Sequence, residues 1–182
     1  PEAMVTFDTT NGVLFSADAF GSFGALDGKL FADEVDFDRD WIDDARRYYT
    51  NIVGKYGPHV MHLLKKAGTI DIKMLCPLHG PVLTEDLGHY IEKYDIWSSY
   101  RPEETGVVIA YASIYGHTKA AAQQLGQELE KLGQKVVLHD LARDDMPTCV
   151  ADAFRYDRLV LASITYNGDI FPCMHAYLHA LT

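Results

Sequence analysis

Hydrophobic and polar positions along the chain fall into short alternating runs and longer helical stripes. Val5-Thr6-Phe7 and Val13-Leu14-Phe15-Ser16 are two β-rich runs joined across turn residues that include Asn11-Gly12, a pattern that predicts a hairpin. Ile42, Ala45, Tyr49, Ile52, Val53 and Tyr56 recur at helical spacing, and Val60, Leu63 and Leu64 mark a second helix. The acidic run Asp33, Glu34, Asp36, Asp38, Asp40, Asp43 and Asp44 lies before and within the first turn of the first of these helices, where the macrodipole favours negative charge. Ile70, Ile72 and Met74 alternate with Asp71 and Lys73 as a half-buried strand does, with Pro77 ending it. Leu78 to Pro81 then reads as an irregular loop, Glu85 to Tyr94 as a helix, and Trp97 to Glu104 as a linker.

Beyond the linker the pattern changes. Val107 to Tyr111 is a compact apolar strand, and Ala121, Ala122, Leu125, Leu129 and Leu132 predict the buried face of a helix ending before Gly133. Lys135 to Leu138 and Arg158 to Ala162 read as two further strands, and Pro172 as the opening of a last helix. Strand, helix, strand, helix, strand is the signature of a βαβαβ unit and a parallel sheet. The chain therefore divides into residues 1–103 and residues 104–182.

Charge narrows the partners. Sixteen Lys and Arg stand against 26 Asp and Glu, a formal net charge of −10, which argues against nucleic acid or an anionic membrane as the main partner. Forty-eight per cent hydrophobic and 23% charged residues are ordinary globular usage. The apolar stretches are far shorter than the ~20 residues of a spanning helix, and the opening lacks a signal-peptide pattern. Cys76, Cys149 and Cys173 are too scattered for a disulfide framework or a thiolate zinc site built from closely spaced pairs, so a reducing, cytoplasmic setting is expected.

Candidate chemistry lies first at the end of the apolar strand. Ala112-Ser113-Ile114-Tyr115-Gly116-His117-Thr118 leads straight into a helix, placing two hydroxyls, a glycine and backbone N–H groups where unpaired donors favour a phosphate. It matches neither GxxxxGK[ST] nor GxGxxG, which lowers support for ATP, GTP or classical dinucleotides. As a plain alternative, Ser113 and Thr118 cap the helix. The third strand runs into a second polar, glycine-containing loop, Ser163-Ile164-Thr165-Tyr166-Asn167-Gly168. The S-x-x-G-x-T spacing between strand and helix resembles the flavodoxin phosphate loop. By that resemblance the backbone of Ile114 to Thr118, with the Ser113 and Thr118 hydroxyls, holds the phosphate of FMN, and the Ser163 to Gly168 loop flanks it at the switch point of the sheet.

In the first part, Asp18 follows the second strand and His79 follows the strand that Pro77 closes. Each alone reads more readily as a structural turn or loop residue, yet Asp and His at strand ends also suit a non-haem metal site. Taken in order, Ser16-Ala17-Asp18-Ala19-Phe20-Gly21, Arg47-Tyr48-Tyr49, Pro77-Leu78-His79-Gly80-Pro81, Trp97-Ser98-Ser99-Tyr100, Tyr111 to Thr118 and Thr165 to Gly168 resemble the flavodiiron proteins, or A-type flavoproteins. The resemblance covers essentially the whole chain. It implies an α/β architecture in which the C-terminal part of a metallo-β-lactamase-like αββα fold precedes the first βαβαβ part of a flavodoxin-like doubly wound parallel sheet.

By the same resemblance, Asp18 bridges two irons and His79 is a terminal ligand, and both are thereby catalytic. Electrons pass from a redox donor protein, rubredoxin-like or another reductase, through FMN to a diiron site that reduces O2 to water or NO to N2O, within a head-to-tail homodimer. Two departures bear on this. The family's H-x-E-x-D cluster and a further histidine lie upstream of the Asp18 motif, whereas this chain starts seventeen residues before Asp18. A flavodoxin sheet also calls for two more strands, so an internal fragment, inactive by itself, is expected, and Pro1 in place of Met agrees with that. His117 stands where the family commonly has Asn, and Cys173 where it often has Pro. Competing readings are an FMN electron carrier without a working metal site, and a zinc hydrolase, the commoner use of the metallo-β-lactamase-like fold.

Overall fold

The computed structural model describes residues 4–182, so the reading drawn from Pro1 lies outside the described residues. The chain forms two compact units, one up to Tyr100 and one from Arg101 onward.

In the first unit β1 (Thr6–Asp8) and β2 (Val13–Ala17) form the expected hairpin, and β2 pairs in parallel with β3 (Met74–Pro77). The strand expected from Ile70 starts only at Met74. Its partner β2 begins at Val13, which sits opposite Met74, so residues 70–73 have no strand beside them. The acidic run lies at helix entrances as expected, and it also supplies a cap: α1 (Phe37–Asp40) opens on the Asp36 carboxylate, which accepts from Arg39 N–H at 3.2 Å, and Asp43 and Asp44 lie in the first turn of α2 (Ile42–Tyr48).

The single helix expected from Ile42 to Tyr56 is broken. After α2 the backbone widens into a π turn over Tyr49–Val53 and tightens into a 3-10 turn over Gly54–Tyr56 before α3 (Gly57–Ala67) starts, with Pro58 in its first turn. The change of pitch rotates the stripe, burying Tyr49 and leaving Ile52 exposed. The helix expected over Glu85 to Tyr94 is α4 (Leu87–Ser98). Asp86 has φ +44°, a left-handed conformation that delays the start, and Tyr100 at φ +55° ends the run. Trp97, read as linker, is instead 1% exposed within α4 and packs its indole against Tyr49 and Tyr94. These aromatics join Leu14, Leu75, Leu83 and Phe20 in the core of this unit.

The second unit is a three-stranded parallel sheet in the order β5 (Val136–Asp140), β4 (Glu104–Tyr111), β6 (Tyr156–Ala162). The alternation of β4 explains its two-sided burial. Val107, Ile109 and Tyr111 face a cluster with Ala122, while Ala110 and Ala112 face Leu141, Cys149, Val150, Met174 and Tyr177. Helices α5 (His117–Lys131), α6 (Met146–Arg155) and α7 (Pro172–Ala180) supply those partners.

The buried stripe of α5 is narrower than its leucines suggested. Ala122 and Gly126 are buried and Leu129 half-buried, but Ala121 and Leu125 are exposed and Leu132 is 76% exposed beyond the helix end. A Cβ at Gly126 would sit 3.2 Å from Leu138 Cδ1, so the missing side chain is what lets α5 lie close to β5. Strand β6 is at the edge of the sheet, with Leu159 and Leu161 exposed.

Candidate functional site

Asp18 and His79 are positioned by one feature of the topology. Because β2 and β3 run parallel, the loops leaving their C-terminal ends emerge on the same side of the sheet. Two backbone bonds tie those loops together: Leu78 N–H donates to Ala17 O at 2.9 Å and Ser22 N–H to His79 O at 3.2 Å. Ala17 and Phe20 both take positive φ, and Gly21 N–H closes a turn on Asp18 O at 3.1 Å, so Asp18 sits at the crest of a tight, locally tied bend. Gly80, at φ +83°, abuts Ser22, and a Cβ there would approach its backbone nitrogen to 3.1 Å.

The result brings His79 Nε2 to 3.8 Å from Asp18 Oδ1. That separation exceeds a hydrogen bond, and both side chains are about half exposed (50% for Asp18, 58% for His79). A carboxylate and an imidazole nitrogen thus converge without satisfying one another, a donor set suited to a divalent or trivalent transition metal. The Tyr48 hydroxyl, unassigned by sequence reasoning, donates to Asp18 Oδ1 at 3.1 Å, and its ring lies 5.6 Å from the His79 ring. Burial, with the Asp18 charge beside it, raises the Tyr48 phenol, so it stays a protonated donor and fixes one carboxylate oxygen. Phe23 packs edge-on against Tyr48 and carries the Arg47 guanidinium on its face at 4.8 Å, which backs the tyrosine. The Arg-Tyr-Tyr sequence was the available signal; what it lacked was any sign that the first tyrosine folds back onto Asp18.

The second unit repeats the principle. Parallel pairing of β4 with β6 sets Tyr111 opposite Ala162, and Ala112 N–H donates to Ala162 O at 2.9 Å, so the loops after both strands leave from neighbouring points on one sheet edge. In the first loop Ser113 Oγ accepts from Gly116 N–H at 3.1 Å, and Gly116 takes φ +89°. Helix α5 starts at His117 without a side-chain cap, leaving its first backbone donors directed outward. Ile114 and Tyr115 are exposed, Gly116 and His117 likewise, and Thr118 is half-buried.

The second loop holds a structure that the sequence did not announce. Thr165–Tyr166 and Asp169–Ile170 pair as a miniature hairpin, β7 and β8, across Asn167 (φ +49°) and Gly168 (φ +81°). Two successive left-handed residues make the Asn-Gly turn the type that matches strand twist. Tyr166 lies edge-on against Phe171 at 5.5 Å, and Ser163 Oγ donates to Ile164 O at 3.2 Å. Tyr166, Asn167, Asp169, Ile170, Pro172 and His175 line an open hollow beside this hairpin.

Comparison with known proteins agrees with this geometry. Residues 109–177 match the flavodoxin family model. The whole chain is 30% identical to the anaerobic nitric oxide reductase flavorubredoxin of Aeromonas hydrophila subsp. hydrophila, of which it covers 37%. The flavodiiron protein of Giardia intestinalis superposes at a TM-score of 0.90 with 27% identity, over 97% of this chain and 43% of that one. Rubredoxin oxygen:oxidoreductase from Desulfovibrio gigas shares the fold at a TM-score of 0.91 and 24% identity, over 100% of this chain and 45% of that one. The chain thus spans well under half the length of the relatives it matches. Two-unit architecture, strand order and end-to-end sequence match agree: flavodiiron relatives and structures cover this chain along essentially its whole length.

Proposed function

We propose that this chain is part of an FMN- and diiron-dependent oxidoreductase that reduces O2 or NO. The observation that carries the reading is the convergence of Asp18 and His79 at 3.8 Å from two parallel strand ends, held but not consumed by their neighbours. Asp18 and His79 would be the residues of this chain that hold iron, with the Tyr48 hydroxyl steadying Oδ1 of Asp18 and His79 presenting Nε2 towards the same carboxylate. Two donors do not make a diiron centre, so the remaining ligands are assigned to the part of the parent protein that the relatives carry outside the matched segment.

In the second unit the uncapped N-terminus of α5, with Ser113 and Thr118, suits the phosphate of FMN, and the Ser163 to Gly168 hairpin flanks it. When bound, flavin and iron supply the electron transfer and the activation of the small diatomic substrate. The protein's own contribution is orientation. Tyr48 holds the Asp18 carboxylate, the Leu78 and Ser22 backbone bonds fix the spacing of the Asp18 and His79 loops, and the Gly116 turn would present backbone donors to a phosphate. In this reading a redox protein would be the electron source and a head-to-tail homodimer the working unit. Among the described residues no helix is long and apolar enough to cross a membrane.

The test is cofactor content in the full-length parent protein. Asp18→Ala is expected to lower bound iron while leaving the flavin spectrum unchanged; equal iron occupancy in the variant removes Asp18 from the site. The 182-residue chain by itself is then examined for a bound-flavin absorption spectrum and acid-released FMN.

A further inference from the structure

A second group of metal-ligating side chains lies in the flavodoxin-like unit, between β5 and α6. One ring nitrogen of His139, one carboxylate oxygen of Asp144 and the Cys149 sulfur all lie within 4.8 Å of one another. His139 and Cys149 are buried, at 7% and 0% exposure, whereas the Asp144 side chain reaches the surface.

The outer contacts are arranged as a metal site requires. His139 Nδ1 faces Asp144 Oδ2 at 3.3 Å, and its other nitrogen, Nε2, lies 2.9 Å from Asp152 Oδ2. With Nε2–H bonded to Asp152, loss of the Nδ1 proton to an incoming ion leaves the Nδ1 lone pair on the side of Asp144, the carboxylate–histidine pairing that orients metal-bound imidazoles. Asp144 Oδ2 is itself fixed by Asp140 N–H at 2.9 Å. Cys149 stands one turn into α6, and Tyr177 Oη–H donates to its backbone oxygen at 3.2 Å. Nitrogen, oxygen and sulfur donors in one cluster match a borderline-soft divalent ion, with the fourth position open to water on the Asp144 side.

We infer that His139, Asp144 and Cys149 form a binding site for a divalent transition-metal ion of the zinc type, oriented by Asp152. Binding displaces the proton from His139 Nδ1 and the thiol proton from Cys149, so two protons are released per ion bound. In the fold this ion clamps the end of β5 to the first turn of α6.

The experiment uses the intact chain, stripped of metal and kept reduced, titrated with Co2+ alone as a spectroscopic probe and then with Zn2+ as competitor. A thiolate-to-cobalt charge-transfer band reaching one equivalent and abolished by Zn2+ is expected. The band should persist in Asp18→Ala and in Cys76→Ser, which excludes the Asp18 and His79 loops as its source. It should vanish in Cys149→Ser. The surface variant Asp144→Asn keeps the oxygen that accepts from Asp140 N–H, and it should weaken Co2+ binding at least about tenfold while the far-ultraviolet circular dichroism stays that of the parent chain. Absence of a thiolate band in the parent chain, its survival in Cys149→Ser, or unchanged affinity in Asp144→Asn overturns the inference.

Discussion

At the scale of single residues, the Asp18 bend shows how little room the site has. An added Cβ at Gly21 meets Tyr48 Cε1 at 2.8 Å and Asp18 O at 3.0 Å, so Gly21→Ala must push the Tyr48 ring away from the carboxylate it holds. The expected cost is about 1–3 kcal/mol, read as a lowered midpoint of urea unfolding of the first unit. Tyr48→Phe keeps the ring and removes only the donor, with an expected loss of about 0.5–1.5 kcal/mol. A Gly21→Ala variant as stable as the parent would show that the bend is looser than its contacts imply. In the second unit, Thr118→Ala is expected to weaken FMN binding by the worth of a charge-assisted hydrogen bond, about 1.5–3 kcal/mol, measured as the dissociation constant in the full-length parent. An unaltered constant returns Thr118 to the role of a helix residue.

At the scale of elements, the acidic run lies at helix entrances, as its charge suggests. Asp36 and Asp145 both cap the helices that follow them, and the Asp145 carboxylate accepts from Thr148 N–H at 3.1 Å. Asp145→Ala is expected to destabilise α6 by about 0.5–2 kcal/mol, seen as faster amide exchange in its first turn than in α5. The failures were of another kind. The alternation from Ile70 was real, but a strand needs a neighbour, and β2 starts too late to supply one. Trp97, followed by Ser-Ser-Tyr, reads as linker in the sequence, yet its indole is what Tyr49 and Tyr94 pack against. The leucines of α5 gave a helical stripe, and Gly126, which carries no hydrophobic signal, marks the true contact line.

At the scale of the whole molecule, each unit carries its own sheet and its own pair of loops at the C-terminal strand ends. The second unit is closed at its base by Glu104, whose carboxylate takes Lys135 at 2.6 Å and Arg155 at 2.6 Å, joining the start of β4 to the chain before β5 and to the end of α6. The Lys135 hydrogen bond, together with Arg155, holds the Glu104 carboxyl below its ordinary value. A depressed carboxyl contributes stability above its unfolded value of 4.5 and loses it as the pH falls through the lower folded value. The thermal stability of the second unit is therefore expected to fall on acidification below 4.5, and Glu104→Gln should make the profile shallower there. A Gln variant with the same acid limb would assign the loss to other carboxylates.

The division into two units, the parallel sheet of the second, its strand-to-helix loop after β4 and the strand-end positions of Asp18 and His79 are legible in the chain alone. These are local properties, written in periodicity, turn residues and spacing. Tertiary structure alone decided that Asp18 and His79 meet, that Tyr48 fixes one oxygen of the pair, and that His139, Asp144 and Cys149 gather between β5 and α6. Each of those depends on which strands lie side by side and on how far a helix turns before it packs. Such distances are set by long-range pairing and close packing, which no local pattern encodes.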